Sequence, residues 1–234
     1  SLATMGNTGC LYIVATPIGN LGDFTDRGKK VLSECDLIAC EDTRVTKKLL
    51  SHLELSKPMI SYREENERKQ SEFLASEISK GQRIALLSDA GYPGISDPGF
   101  RLIRECRKQN IEVVPVPGPN AAITALAASG LPTHHFLFLG FPPKGKVAFE
   151  NLLRKWDEFE GSLIFYQSKY KMESTFEILK KVYGDQRFLA VARELTKIHE
   201  SIVVGTISSV HEKSLTSSQK GEFTLIIAPH DFVL

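Results

Sequence analysis

The chain has 234 residues, 42% hydrophobic and 24% charged, with 29 basic side chains against 28 acidic. A chain of that length buries roughly 70% of its extended surface on folding, enough for a proper core in one or two domains. The near-zero net charge excludes a globally basic nucleic-acid binder, and no apolar run approaches the ~20 residues of a membrane span.

Residues 1–9 are small and polar and read as a frayed lead-in. From there to residue 130, strand-like and helix-like segments alternate. The predicted strands are 10–16, 36–40, 58–60, 83–87 and 111–114, and the predicted helices are 22–33, 43–52, 64–79, 98–109 and 120–129. Continuously apolar strands separated by helices predict a parallel sheet covered on both faces. Beyond Gly130-Leu131-Pro132 the character changes, and that stretch is taken as the boundary between domains 10–130 and 131–230. Apolar segments at 135–139, 161–166, 187–192, 200–206 and 223–228 alternate with helices near 147–157 and 171–183. Residues 187–206 hold two strands with no helix between them, so part of the second sheet should be antiparallel. The fold class is α/β, with a mostly parallel first sheet and a mixed second one. Cys10, Cys35, Cys40 and Cys106 lie in or beside apolar segments without CxxC spacing. They read as buried thiols in a reducing, cytoplasmic setting, and the start of the chain lacks a signal-peptide pattern.

In an open parallel sheet, ligands bind outside the carboxyl ends of the strands. Three loops at that edge share an unusual composition: "TPIGNLGD" at 16–23, "SDAGYPGISDPG" at 88–99 and "PVPGPN" at 115–120. Glycine permits close backbone approach, and proline fixes the path of the chain. No dinucleotide fingerprint is present, since the first loop keeps only Gly19 and Gly22, and there is no Walker loop. Asp89 and Asp97, with no lysine nearby, suit a ligand bearing hydroxyls, amines or positive charge, and S-adenosylmethionine has all three. Asp97, just before Pro98, is also well placed as a helix N-cap.

The segments "LYIVATPIGNLGD", "DLIACEDTR", "LLSDAGYPGISDPG", "VPVPGPNAAITALAASGL" and "VARELTKIHE" together resemble the small-subunit ribosomal RNA methyltransferase I family. That family is a branch of the tetrapyrrole-methylase superfamily, the class III methyltransferases. The likeness runs from about residue 10 to 228. It implies two α/β domains with S-adenosylmethionine in the cleft between them, and a homodimer. It also implies 2′-O-methylation of a cytidine ribose in the 16S rRNA of the small ribosomal subunit. The chain departs from the family's Ser-Pro-His-Arg-like turn at Ser168-Lys169-Tyr170-Lys171. A tetrapyrrole or other small-molecule methyltransferase and a catalytically silent cofactor-binding module are the competing readings.

By resemblance and loop position, the cofactor should contact Asp89, Gly91, Gly94, Ile95, Asp97, Pro117, Gly118 and Ala121. Methyl transfer from a sulfonium to a hydroxyl is a displacement that needs no metal, so alignment and a base are the protein's task. Asp42 and Arg44 of "EDTR" end strand two at the ligand edge; helix capping is the alternative role for Asp42 and leaves Arg44 without one. Glu194 or Lys197 of "ARELTK" could act on the hydroxyl, with Arg193 and Arg44 gripping phosphates, although a charged hairpin tip would look the same. RNA attraction is assigned to Lys144, Lys146, Lys169 and Arg193, against the alternative of ordinary solvated charges.

Overall fold

The computed structural model describes residues 8–218 and 220–234; most of the polar lead-in lies outside them. The chain divides into two units, Ser1–Asn120 and Ala121–Leu234.

In the first unit the elements are β1 (Cys10–Val14), α1 (Asp26–Glu34), β2 (Leu37–Cys40), α2 (Thr43–His52), β3 (Met59–Ser61), α3 (Glu67–Ser79), β4 (Arg83–Leu87), α4 (Phe100–Lys108) and β5 (Glu112–Val116). All five strands run parallel, in the order β3-β2-β4-β1-β5. Side chains alternate across a strand, so β1 feeds two cores at once. Cys10, Tyr12 and Val14 join Val31, Leu32, Leu49 and Leu50 of α1 and α2. Leu11 and Ile13 join Leu74, Ile78, Leu102 and Cys106 of α3 and α4. Two helices therefore cover each face, and all four cysteines are buried free thiols.

Three local details depart from the sequence-based expectation. Helix α1 starts later than residue 22, because Thr25 accepts from the Gly28 N–H and caps it there, after a short 3₁₀ turn at Leu21–Asp23. Strand β5 runs on through Pro115, which a sheet edge tolerates because nothing needs that missing donor. Asp97 does not cap α4: the N-cap residue is Gly99. The cap comes instead from another helix. Glu67 Oε1, on α3, accepts from Gly99 N at 3.2 Å and Arg101 N at 3.4 Å, while Tyr62 Oη accepts from Leu102 N at 3.2 Å. Burial pushes the Tyr62 phenol up to about 12, so it stays a neutral hydroxyl. Glu67→Ala should cost about 1–2 kcal/mol in urea unfolding, the usual value of a lost cap, and Glu67→Gln much less because an acceptor oxygen remains.

The second unit contains α5 (Ala121–Ser129), β6 (Phe136–Gly140), α6 (Lys146–Lys155), β7 (Ser162–Ser168), α7 (Met172–Tyr183), β8 (Phe188–Arg193), β9 (Ser201–Thr206), α8 (Ile207–Ser214) and β10 (Glu222–Ile227). The strand order is β6-β7-β10-β8-β9. β6 pairs parallel with β7; the remaining pairs, including β8 with β9, are antiparallel. Helices α6, α7 and α8 supply Phe149, Leu153, Phe176, Leu179, Ile207 and Val210 to one core with Phe165, Leu189 and Leu225 of the sheet. The alanine-rich α5 packs on β7, β9 and β10, and its Ala122 N–H donates to Tyr166 Oη. It thus belongs with the second sheet, and the division falls ahead of the Gly130–Pro132 stretch. Helix α8 has no counterpart in the sequence reading: it is eight residues long and polar, and its start rests on the Thr206 hydroxyl accepting from Ser209 N.

Candidate cofactor and active site

Sheet register sets where the three loops begin. Val14 pairs with Leu87 on one side and Val116 on the other, so β1, β4 and β5 end level. The loops that follow are then tied to one another. Thr16 and Gly91 exchange both backbone hydrogen bonds at 3.0 Å, and Thr16 Oγ1 donates to Ser88 O at 3.2 Å. Tyr92 Oη accepts from Gly118 N at 3.0 Å. Gly118 lies so close to β1 that a Cβ there would stand 2.9 Å from Ala15 Cβ and 3.2 Å from Ala15 O. Gly94 takes φ +86°, a conformation that side chains disfavour, and donates to Pro98 O at 3.1 Å to close its loop. The structure therefore gathers Asp89, Gly91, Gly94, Ile95, Asp97, Pro117 and Gly118 at one sheet edge. Ala121 opens α5 in the second unit.

Register also brings in a residue the sequence reading passed over. Cys40 is level with Leu87, which sets Glu41 and Asp42 beside Ser88 and Asp89. Asp42 N donates to Asp89 Oδ1 at 3.0 Å, and a side-chain hydrogen bond joins Glu41 to Asp89. Burial first, then the charges of Asp97 and Asp89, push the Glu41 carboxyl up to about 7. Burial likewise raises Asp89. Glu41 Oε2 is buried without a hydrogen-bond partner. Arg63, whose charge lowers Glu41, donates its Nε to the Glu41 carbonyl at 3.1 Å. The available signal was positional: an acid one residue past a central strand, beside a second acid-bearing loop.

Asp42 and Arg44 are committed to each other. Asp42 caps α2 by accepting from Arg44 N at 2.9 Å, and the guanidinium adds contacts of 3.1 Å and 2.9 Å to the same carboxylate. Those bonds hold the Asp42 carboxyl at about 2. Capping, left as an alternative by the sequence, is what the geometry displays for Asp42, and Arg44 extends it from a position 86% exposed.

In the second unit, Glu194 through Glu200 join β8 to β9. Glu194 and Thr196 both take left-handed conformations, at φ 51° and 72°, which cost non-glycine residues backbone energy. Surrounding bonds enforce them. Arg193 donates from Nε to Lys220 O at 2.7 Å and from Nη1 to His199 O at 3.2 Å, stapling the tip shut. Thr196 N donates to Glu200 Oε1 at 2.7 Å. The Glu194 carboxylate lies over Gly221, where a Cβ would overlap it. Lys197 Nζ stands 2.6 Å from Glu194 Oε2 with its side chain 39% exposed, so the two alternatives for the base form one ion pair.

Lys144 and Lys146 are exposed, and among the described residues neither makes an ion pair. Lys146 opens α6 with no acid in that first turn, at the end where the helix dipole disfavours a cation. That placement adds no stability to the helix. Lys169, on a 3₁₀ turn, sets its ammonium 4.7 Å over the exposed Tyr170 ring. Arg154, by contrast, is paired with Glu150. Among the described residues no cluster of His, Cys, Asp and Glu has metal-binding geometry.

The carboxyl edge of the first unit thus offers carboxyl groups, loop carbonyls and a carboxylate oxygen lacking a donor. Such a set repels phosphate and accepts a cation carrying hydroxyls. The sequence profile described as Tetrapyrrole (Corrin/Porphyrin) Methylases matches residues 10–211. The chain is 46% identical to the "Ribosomal RNA small subunit methyltransferase I" of Synechocystis sp. over 94% of its own length and 79% of that protein's. Against the protein of the same name from Escherichia coli O157:H7 the identity is 43%, over 95% and 78%. Among solved structures, a cobalt precorrin-4 methyltransferase superposes with a TM-score of 0.66 at 14% identity, covering 93% of this chain and 94% of that one. The methyltransferase CobJ does so with a TM-score of 0.67 at 20% identity, covering 95% of each.

Proposed function

The chain belongs to the ribosomal RNA small subunit methyltransferase I family, within the tetrapyrrole methylases, and on that footing we propose that it methylates the 2′-hydroxyl of a cytidine in 16S rRNA. The methyl donor is S-adenosylmethionine, which when bound supplies a methyl group already activated on sulfur. The observation that carries the reading is the level ending of β1, β4 and β5, with their three loops hydrogen-bonded into one acidic cradle.

In this reading Asp89, Gly91, Gly94, Ile95, Asp97, Pro117, Gly118 and Ala121 hold the donor, the loop backbone fixing its orientation. Alignment of this kind contributes several kcal/mol to catalysis because the hydroxyl no longer has to find its partner. The Lys197 ammonium, held by Glu194, hydrogen-bonds the ribose oxygen, and the hydroxyl proton leaves to the Glu194 carboxylate. A positioned acid–base pair contributes about 10²–10⁴-fold. Lys144, Lys146 and Lys169 attract RNA phosphates without reading sequence, so binding should weaken steeply with salt. Arg193 commits two of its five guanidinium N–H groups to backbone carbonyls, so its part is to shape the tip that carries Lys197, with any phosphate contact made by the remaining N–H groups. A homodimer working in the cytoplasm on the small subunit completes the proposal.

The test is transfer of tritiated methyl from S-adenosylmethionine to isolated small ribosomal subunits lacking the modification, followed by nuclease digestion. Label is expected in a 2′-O-methylcytidine of the 16S rRNA. Label confined to a tetrapyrrole or other small molecule would replace the substrate assignment, and donor binding without any transfer would mark a silent module.

A further inference from the structure

We propose that Glu41, with Asp89 and Asp97, reads the positive charge on the donor's sulfur, so that the protein holds S-adenosylmethionine more tightly than the demethylated product. This rests on the donor lying in the carboxyl-edge loops and deepens that reading.

Donor and product share the adenosine, the ammonium and the carboxylate. They differ by one methyl group and the positive charge that it gives the sulfur. An enzyme that must release product gains by feeling that difference. Among the groups around this edge, Asp42 is paired with Arg44, and Arg63, which is exposed and bonded to a backbone carbonyl, lowers Glu41 less than the neighbouring acids raise it. Glu41, Asp89 and Asp97 are the other acids here, and the charges of Asp89 and Asp97 both raise Glu41. Glu41 Oε2, buried and without a donor, leaves the carboxylate form uncompensated in the free protein. A sulfonium nearby supplies the missing countercharge, whereas a neutral thioether does not.

The sign of the pH dependence follows. Glu41 titrates at about 7, so below that pH the group is a neutral acid and above it an anion. The donor's advantage over the product should therefore grow as pH rises through neutrality. Donor binding should also drive a proton off Glu41, because the bound cation favours the charged form. A unit charge at short range in a partly screened site is worth roughly three- to tenfold in affinity.

Isothermal titration with S-adenosylmethionine, S-adenosylhomocysteine and sinefungin at pH 6 and pH 8 tests this, run in two buffers of different ionisation enthalpy to count protons. In the native protein the donor-to-product affinity ratio should rise about three- to tenfold across that range, with proton release on donor binding. Sinefungin, whose amine replaces the sulfonium, should follow the donor. Glu41→Gln should abolish the pH dependence, leaving the low-pH ratio. Asp97→Asn should keep it but move its midpoint to lower pH, since the Asp97 charge helps raise Glu41. A ratio that is flat with pH, or a Glu41→Gln protein that retains the rise, overturns the charge-reading role and leaves the binding site intact. If none of the three nucleosides binds, the site assignment falls and this inference with it. A rise in the ratio without RNA methylation would sink only the RNA reading.

Discussion

Gly118→Val is expected to weaken S-adenosylmethionine binding by at least about a hundredfold, while the protein stays folded. The added branches have no room: even the first carbon would stand 2.9 Å from Ala15 Cβ and 3.2 Å from Ala15 O. Ala15 is buried directly after β1 and its N–H bonds the Val116 carbonyl at 3.3 Å, so the strand end will not yield. The loop must move instead, and it takes the Gly118–Tyr92 hydrogen bond with it. Overpacking of this kind costs about 1–3 kcal/mol of stability. The loss in binding exceeds that because a cradle made of backbone cannot re-form contacts by turning a side chain, and each tenfold corresponds to about 1.4 kcal/mol. Titration calorimetry gives the affinity, and circular dichroism with thermal unfolding gives the fold. Near-native affinity in a folded variant would remove Gly118 from the donor site.

Lys197→Met should lower the rate of RNA methylation by about 10²–10⁴-fold and leave donor affinity within a few-fold of the native value. Methionine keeps much of the aliphatic stem but neither donates a hydrogen bond nor carries charge. Because Lys197 is 39% exposed and its partner Glu194 is anchored by its own backbone bond to Glu222 O, the tip should keep its shape. Glu194→Gln should lower the rate comparably, since amide oxygen is a poor proton acceptor. The pair acts as a unit, so the double variant should be little worse than either single one. Single-turnover kinetics on small ribosomal subunits, with separate donor titration, distinguishes loss of chemistry from loss of binding. A native rate in both single variants would exclude the pair from the reaction.

The alternation of short apolar strands with helices was legible because burial on both faces leaves a continuous apolar run, and the ten strands among the described residues all fall within or beside predicted segments. The three crimped loops were legible because close backbone approach admits few residues other than glycine and proline. Helix α8 was not, since eight residues with serines, a histidine and a glutamate carry too little periodicity to stand out. Glu41 was not singled out because, although Asp42 could be read as the cap of α2, nothing in "EDTR" shows that the acid before it lies beside the loop of a neighbouring strand.

Amino-acid order by itself determined the class of fold, the edge of the sheet where ligand chemistry collects and, through its motif string, the family. Tertiary structure decided which charges meet. Asp42 and Asp89 are 47 residues apart, and they touch because β2 lies beside β4 with Cys40 level with Leu87. Glu67 reaches Gly99 from 32 residues away and displaces Asp97 from the capping role. Strand order and register are collective outcomes of packing, so the partners they bring together, and the pKa values that follow, are written in no local stretch of the chain.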